Sequence, residues 1–426
     1  MKRPFDCGEP SPLSYFLLPT SYFRIASIPR VVMKKAEMPR NIPLFIAFRL
    51  LFNARFYYPV FAVLQLDFGL SLGQFALLNA VWALTIILLE VPSGALADRI
   101  GRVRMVRLTS LLMIAEIALI AFVPLAPSSL VFGAWILNRI LSGAAEAAAS
   151  GADEALAYDS LPAADQQSLW PDVLSRLMTL SALAFTFAML IGAAVYDENL
   201  LNHLLAKIGF GSELTRATTL RFPLYLTLLT ALATLPVALA MREPERVSAE
   251  EAEELRFWPQ IGQLAAWIWR SPVVFALILA ALVHDSLARL FTTTASEFYR
   301  LIQYPEAAFG LIGATLSALG LVVPRLARRL VKSQPPVRNY LLLSLTALSA
   351  FIAIAHPVPH FSVLAVALLT INFSLLNFFT SHYLNAEVPS RHRATLLSFK
   401  SLALNLGFAG LNLLYALLLR QLDTPT

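Results

Sequence analysis

Glu90-Val-Pro-Ser-Gly-Ala-Leu-Ala-Asp-Arg-Ile-Gly-Arg-Val-Arg-Met-Val-Arg107 lies between two long apolar runs. It holds two glycines, Gly94 and Gly101, one carboxylate after Glu90, Asp98, and the four arginines Arg99, Arg102, Arg104 and Arg107. A compact basic loop between two runs of membrane-spanning length is a topological marker as well as a turn. Outward from it the chain is 58% hydrophobic and 14% charged, where a soluble protein carries roughly 25% charge. The mean hydropathy is +0.66. About 20 apolar residues cross the hydrocarbon of a bilayer, and eleven such spans are expected: 43–66, 72–96, 105–125, 129–150, 173–196, 220–241, 272–297, 307–330, 339–356, 360–384 and 394–420. Backbone amides at membrane depth must pair internally, so these are helices. The alternation of a barrel strand is absent.

The formal charge of +6 follows from orientation and not from nucleic-acid binding. Lys and Arg collect on the cytoplasmic side of a membrane protein. They gather here in the tail before residue 41, in the 97–107 loop, and at Arg325, Arg328, Arg329, Lys332 and Arg338, while loops near 67–71, 125–128 and 357–360 hold none. The N-terminus is therefore expected inside. The loop at 197–219, with Lys207 and Arg216, is a counter-signal. Cys7 is the single cysteine, so no disulfide within the chain and no thiolate metal site is expected. The first 40 residues lack a signal-peptide pattern.

The 90–107 stretch resembles the signature loop of the major facilitator superfamily of secondary transporters, in its bacterial type. Gly94, Leu96, Ala97, Asp98, Arg99, Gly101 and Arg102 carry the match, and Val103 departs where a base is usual. The resemblance implies an all-α polytopic membrane protein of two pseudo-symmetric helical halves. A cytoplasmic tail at 1–40, a six-helix half at 41–241, a cytoplasmic linker at 242–270 and a second half at 271–426 are expected. Phe75-Ala-Leu-Leu-Asn-Ala80 and Phe309-Gly-Leu-Ile-Gly-Ala314 open corresponding spans of the halves. Twelve spans are usual in the family, so the twelfth is expected to be missing. Ser150–Asp159 and Val388–Thr395 resemble further loops of the family.

Ionisable groups at membrane depth cost about 2.5–3.5 kcal/mol each on insertion scales, so each needs a reason. Arg139-Ile-Leu-Ser-Gly143 resembles the family's fourth-helix motif, which implies a role for Arg139 in coupling; the alternative is an arginine that fixes packing. Gly143 would let another helix approach closely. Asp285 is either a titrating carboxylate opposed to Arg139 or a static partner of Arg289, four residues on. Arg55 and Glu116 form a structural pair or Arg55 meets an anionic substrate group. Glu146, two turns beyond Arg139, is a proton relay, a gate charge or simply wet. The resemblance makes Asp98, with Gly94, Arg99, Gly101 and Arg102, a conformational gate at a helix start. Asp153, Glu154 and Asp159 are expected to pair with loop arginines such as Arg102 or Arg393. His284 is expected to pack. Asn53, Asn372 and Asn377 are further cavity candidates, and Phe56, Tyr57 and Tyr58 core residues. In the fifth span Met189 stands where family antiporters carry proline.

No phosphate-binding Gly-Lys-Ser/Thr loop or His-Glu-x-x-His occurs. An enzyme, a metal and a cofactor are not expected. What is expected is a monomeric, multi-pass inner-membrane transporter, exporting a small organic molecule in exchange for protons. Uptake by symport or facilitated diffusion is the alternative, and a non-transporting sensor or assembly factor is the second class.

Overall fold

The computed structural model describes residues 39–125, 128–150, 152–162, 164–210, 213–244, 268–319, 322–387 and 393–422. The tail to residue 38, most of the 242–270 linker, and residues 388–392 lie outside them. The regular structure of the described residues is entirely helical. In chain order the helices before the linker are α1 (Asn41–Asn53), a 3-10 turn (Tyr58–Val60), α2 (Phe61–Asp67), α3 (Leu72–Ile100), α4 (Arg102–Phe122), α5 (Ser128–Ala149), α6 (Ala152–Asp159), α7 (Gln166–Tyr196), α8 (Glu198–Lys207), α9 (Arg216–Thr219) and α10 (Phe222–Ala240). After it come α11 (Pro272–Leu301), α12 (Glu306–Leu319), α13 (Val323–Ser333), α14 (Pro336–Ala355), α15 (Pro359–Glu387) and α16 (Arg393–Leu422).

Eight of these helices are long and apolar enough to cross a membrane, or nine if α12 and α13 count as one bent span. The three expected spans that differ do so for physical reasons. α5 has the length, but Asn138, Arg139 and Glu146 dilute its hydropathy. The 307–330 run divides into α12 and α13, which meet at 41°. The 43–66 run is broken at 54–60, where the backbone leaves the helix for a 3-10 turn holding Pro59.

That break is held from outside its own sequence. The Phe56 amide donates to Thr227 Oγ1 at 3.0 Å, and Thr230 Oγ1 donates to the Ala54 carbonyl at 3.3 Å. Both threonines are on α10. The Phe56 carbonyl lies against Gly192 of α7, where an added Cβ would stand 1.7 Å from its oxygen. Polar backbone freed at membrane depth is tolerated only when neighbours re-satisfy it; the two threonines do so, and Gly192 leaves room for the Phe56 carbonyl.

Local signals place the other ends. Ser71 and Gln74 form a reciprocal capping box at the start of α3. Gly101 stops α3 at φ 103°, a conformation that side chains rarely adopt. Gly143 of α5 meets α3: a Cβ there would lie 2.8 Å from Thr85 Cβ and 3.0 Å from the Trp82 carbonyl.

Ile100, Met241 and Ile268 mark the linker end of the bundle, and Asp67, Tyr196 and Leu301 its far end. Two long seams and a shorter one join helices from before and after the linker: α3 against α16, α7 against α12, and α2 against α11. A single apolar cluster at the far end draws on both sets of helices, from Tyr57, Phe68 and Trp135 to Phe298, Tyr299 and Phe309. Toward the linker end the clusters separate. Phe48, Phe52, Val106, Ala145 and Met241 form one; Ile268, Val274, Ala327, Phe379 and Leu384 form another.

Gly192→Ala should lower the thermal midpoint of the purified protein, because overpacking of this kind costs about 1–3 kcal/mol. Gly94→Ala, inside α3 with nothing within 4 Å of the added Cβ, should not lower it, since alanine is the better helix former.

Candidate functional site

The broken first span carries the first of the predicted charges. Arg55 sits inside the break, 4% exposed, and its Nη1 lies 2.5 Å from Glu116 Oε1 of fully buried Glu116. It also donates to the Tyr57 hydroxyl at 3.1 Å. Arg55 and Glu116 are thus a buried pair in this structure. Such a pair gains little over a well-packed apolar core, yet losing one partner costs about 3–5 kcal/mol, because the other charge is stranded.

The pair leads on to Arg139. Asn138 donates from Nδ2 to the Glu116 carbonyl at 2.8 Å. Its Oδ1 accepts from Arg139 Nε at 2.9 Å and from Nη2 at 2.7 Å. The Arg139 guanidinium lies over the Phe61 and Trp135 rings, 5.3 and 5.9 Å from their centroids. A desolvated cation gains about 2 kcal/mol or more from such a face. Arg139 forms no ion pair with a described residue, so its charge is met by rings and a neutral amide. Asp285 does not oppose it: Asp285 meets Arg289 of its own helix at 2.7 Å, and Arg289 also donates to Asn405 at 2.9 Å. Of the two arrangements read for Asp285, the structure contains the pair along α11. Glu146 is half-buried and electrostatically close to Tyr58 and Asp153. His284 bonds the Ala280 carbonyl and Ser344, a packing arrangement.

At the linker end the signature loop is tied down by two carboxylates, Glu243 and Asp159. Glu243 caps α4, its two oxygens accepting the Arg102 and Val103 amides at 2.9 Å each. An anion at a helix N-terminus is favoured by the exposed amides and the helix dipole. The Arg102 side chain pairs with Asp159. Arg49 pairs with Asp153 at 2.6 Å and reaches Glu154 at 3.6 Å. Asp98 is in the last turn of α3, and its side chain lies outside the described residues, as does that of Arg393. Arg99 is exposed and Gly94 open. Glu243 escaped the sequence reading, although it is the first acid after the sixth span. Burial pushes the Asp153 carboxyl up to about 6, against the opposing pull of Arg49 and the Glu154 amide.

The far end holds a cluster that sequence reasoning missed. Arg300 makes two bonds to Asp67, at 2.7 and 2.9 Å. Arg216 meets Glu306 at 2.9 Å, and Tyr196 donates to Asp67 at 2.5 Å. Asp197 caps α8 with one oxygen and accepts the Ala307 amide at 3.0 Å with the other. Ser296 Oγ of α11 accepts the Ala62 amide at 3.0 Å. Each of the bonds to Arg300, Glu306, Ala307 and Ser296 joins residues from opposite sides of the linker. The charge of Arg216, a counter-signal in the sequence, is met by Glu306. Beside these bonds a cleft of about 160 Å³ is lined by Tyr58, Met189, Thr292, Ser296 and Thr370 among others.

This is a bundle of apolar helices in two sets, joined at one end, with paired charges at depth and a basic signature loop. A sequence profile described as Major Facilitator Superfamily matches residues 44–410, and the chain belongs to that superfamily. The fold is similar to that of a bacterial homolog of the human lysosomal transporter Spinster, solved inward-facing and unoccupied, with a TM-score of 0.67 at 21% identity over 88% of this chain and 81% of that one. A D-xylose–proton symporter gives 0.61 at 15% identity, over 88% and 89%. A nucleoside transporter gives 0.64 at 12% identity, over 90% and 91%. No curated protein sequence matches the chain significantly.

Between pH 3.8, the ordinary value, and about 6 the folded chain holds a proton on Asp153 that the unfolded chain releases. Stability should therefore fall as pH rises through this window, by the proton linkage. Asp153→Asn should flatten that dependence in pH-resolved thermal melts, and should remove a protonated-carboxyl infrared band that grows in below about pH 6.

Proposed function

We propose that this chain is a secondary transporter that moves a small organic molecule across a membrane by alternating access, and that it stands here in its inward-facing form. One observation carries the reading. The two sets of helices share bonds and an apolar cluster at the far end, and have separate clusters toward the linker end. The reading takes 41–241 and 271–426 as the moving halves. It takes the linker end as cytoplasmic, since the basic loops at 97–107 and 325–338 belong there under the positive-inside rule. An arrangement sealed at one end is what rocking of two halves about a central path requires.

In this reading the coupling ion is the proton, and α5 carries the coupling. Arg139 is a buried cation with no counter-ion among the described residues, and Glu146, two turns nearer the linker end, is a carboxylate that can load and release a proton. Arg55 and Glu116 hold the break in the first span beside them. Asp285 with Arg289 serves the second half. Gly94, Asp98, Arg99, Gly101 and Arg102 form the loop that closes the linker end when the far end opens. The direction favoured is export across an inner membrane. Uptake is the second reading, supported by Met189 in place of the proline of family antiporters.

Two experiments test this. Cells expressing the protein should accumulate less of some compound in a broad panel than cells expressing Arg139→Ala, and a protonophore should erase the difference. Higher wild-type accumulation would reverse the direction, and equal accumulation of every compound with both proteins in the membrane would remove transport by this site. Arg300→Gln should also unlatch the far end. With spin labels at Ile208→Cys and Leu301→Cys in a Cys7→Ser background, the variant should show a larger population at long distance; an unchanged distribution would mean that the cluster does not hold the halves together.

A further inference from the structure

α13 is a short helix with three distinct sides. Val323 and Ala327 are buried, 4% and 0% exposed, in the cluster that also holds Phe379 and Leu384. Arg325, Arg328, Arg329 and Lys332 are exposed. At 3.6 residues per turn these four fall within about 100° of arc, facing away from the buried side. Val322 and Leu326, 58% and 42% exposed, form an apolar shoulder between the two. Arg328 donates from Nε to the Pro324 carbonyl of its own helix at 3.3 Å. Arg328, Arg329 and Lys332 make no ion pair with a described residue.

A second observation fixes what faces this stripe. α14 follows directly, and Val337, Leu341, Leu345, Leu348 and Ile352 are 78%, 55%, 57%, 57% and 56% exposed. They recur at helical spacing along one ridge, as a lipid-facing surface does. α12, at 14 residues, is about 21 Å long at 1.5 Å per residue, short of the roughly 30 Å hydrocarbon layer. The chain therefore completes this crossing in α13, whose apolar shoulder lies at the hydrocarbon edge and whose cations lie at headgroup height beside the α14 ridge. Basic amphipathic helices placed in this way bind anionic lipid surfaces, each Lys or Arg near the surface adding to the attraction.

We propose that the α13 stripe is a docking surface for anionic phospholipid headgroups, with Arg328, Arg329 and Lys332 as the phosphate-facing side chains. The inference is independent of transport and of its direction. It is tested with the full chain in nanodiscs of phosphatidylcholine, with or without phosphatidylglycerol. Phosphatidylglycerol should raise the thermal midpoint of the wild type, and native mass spectrometry should find it retained. In the triple variant R328Q/R329Q/K332Q the rise should vanish and retention should fall severalfold, while the midpoint in phosphatidylcholine alone stays the same. Lysine at positions 328 and 329 should keep both effects. Should the triple variant fail to fold, salt gives the same test, because at 1 M the screening length is about 3 Å; the wild-type rise should then disappear. A rise that survives the triple variant or high salt overturns the proposal. So does the absence of any rise in the wild type, including the case in which one emerges only when Glu250, Glu251, Glu253 and Glu254 become Gln, which would assign the stripe to the linker.

Discussion

Hydrocarbon offers no partner to a charge or a free amide, and this constraint shapes the polar interior of the protein. Arg55 is bonded to Glu116, Arg49 to Asp153 and Arg289 to Asp285. The backbone freed by the break in the first span is met by Thr227 and Thr230. These satisfied groups fix how α1, α4, α7 and α10 stand together, and with them the wall on which Arg139 lies. Arg139 is the exception, a cation held by a neutral amide and two rings.

Where a feature is written in local sequence, it was legible. Apolar runs marked most of the spans. Gly143 predicted a close helix approach, and Thr85 and Trp82 of α3 make it. The pairing of Arg55 with Glu116, of Asp285 with Arg289, and of Asp159 with Arg102 was among the alternatives that spacing allowed. What stayed hidden depends on partners far along the chain. The 43–66 run looks continuous because hydropathy does not register that Gly192 and two α10 threonines can hold a break open. The division of 307–330 into α12 and α13 is similar, since the apolar side of α13 is defined by helices that come later. Asp67 lies 233 residues before Arg300, and only the folded bundle brings the two, with Glu306, to one place. Glu243 required knowing that the start of α4 lay beside the end of α10.

The seams show how small residues and large ones divide the work. A Cβ on Gly310 would stand 2.4 Å from the Met189 carbonyl, and one on Gly313 would stand 2.0 Å from Met189 Cε. α12 thus offers two glycines to one methionine of α7. A flexible unbranched side chain on a smooth surface can adapt to different separations, so this seam resists sliding less than an interlocked one would.

The four charges at the far end form a square with a particular property. Its short edges, Arg300 to Asp67 at 2.7 Å and Arg216 to Glu306 at 2.9 Å, cross between the halves. Its longer edges, Arg300 to Glu306 at 3.4 Å and Arg216 to Asp67 at 3.7 Å, each stay within one half. Pulling the halves apart therefore does not strand any ion. Parting them would break the two short pairs and leave each arginine beside the carboxylate at its own side. The two short pairs tie the helices before the linker to those after it, while the two long ones keep every charge of the square within 4 Å of an opposite one on its own side.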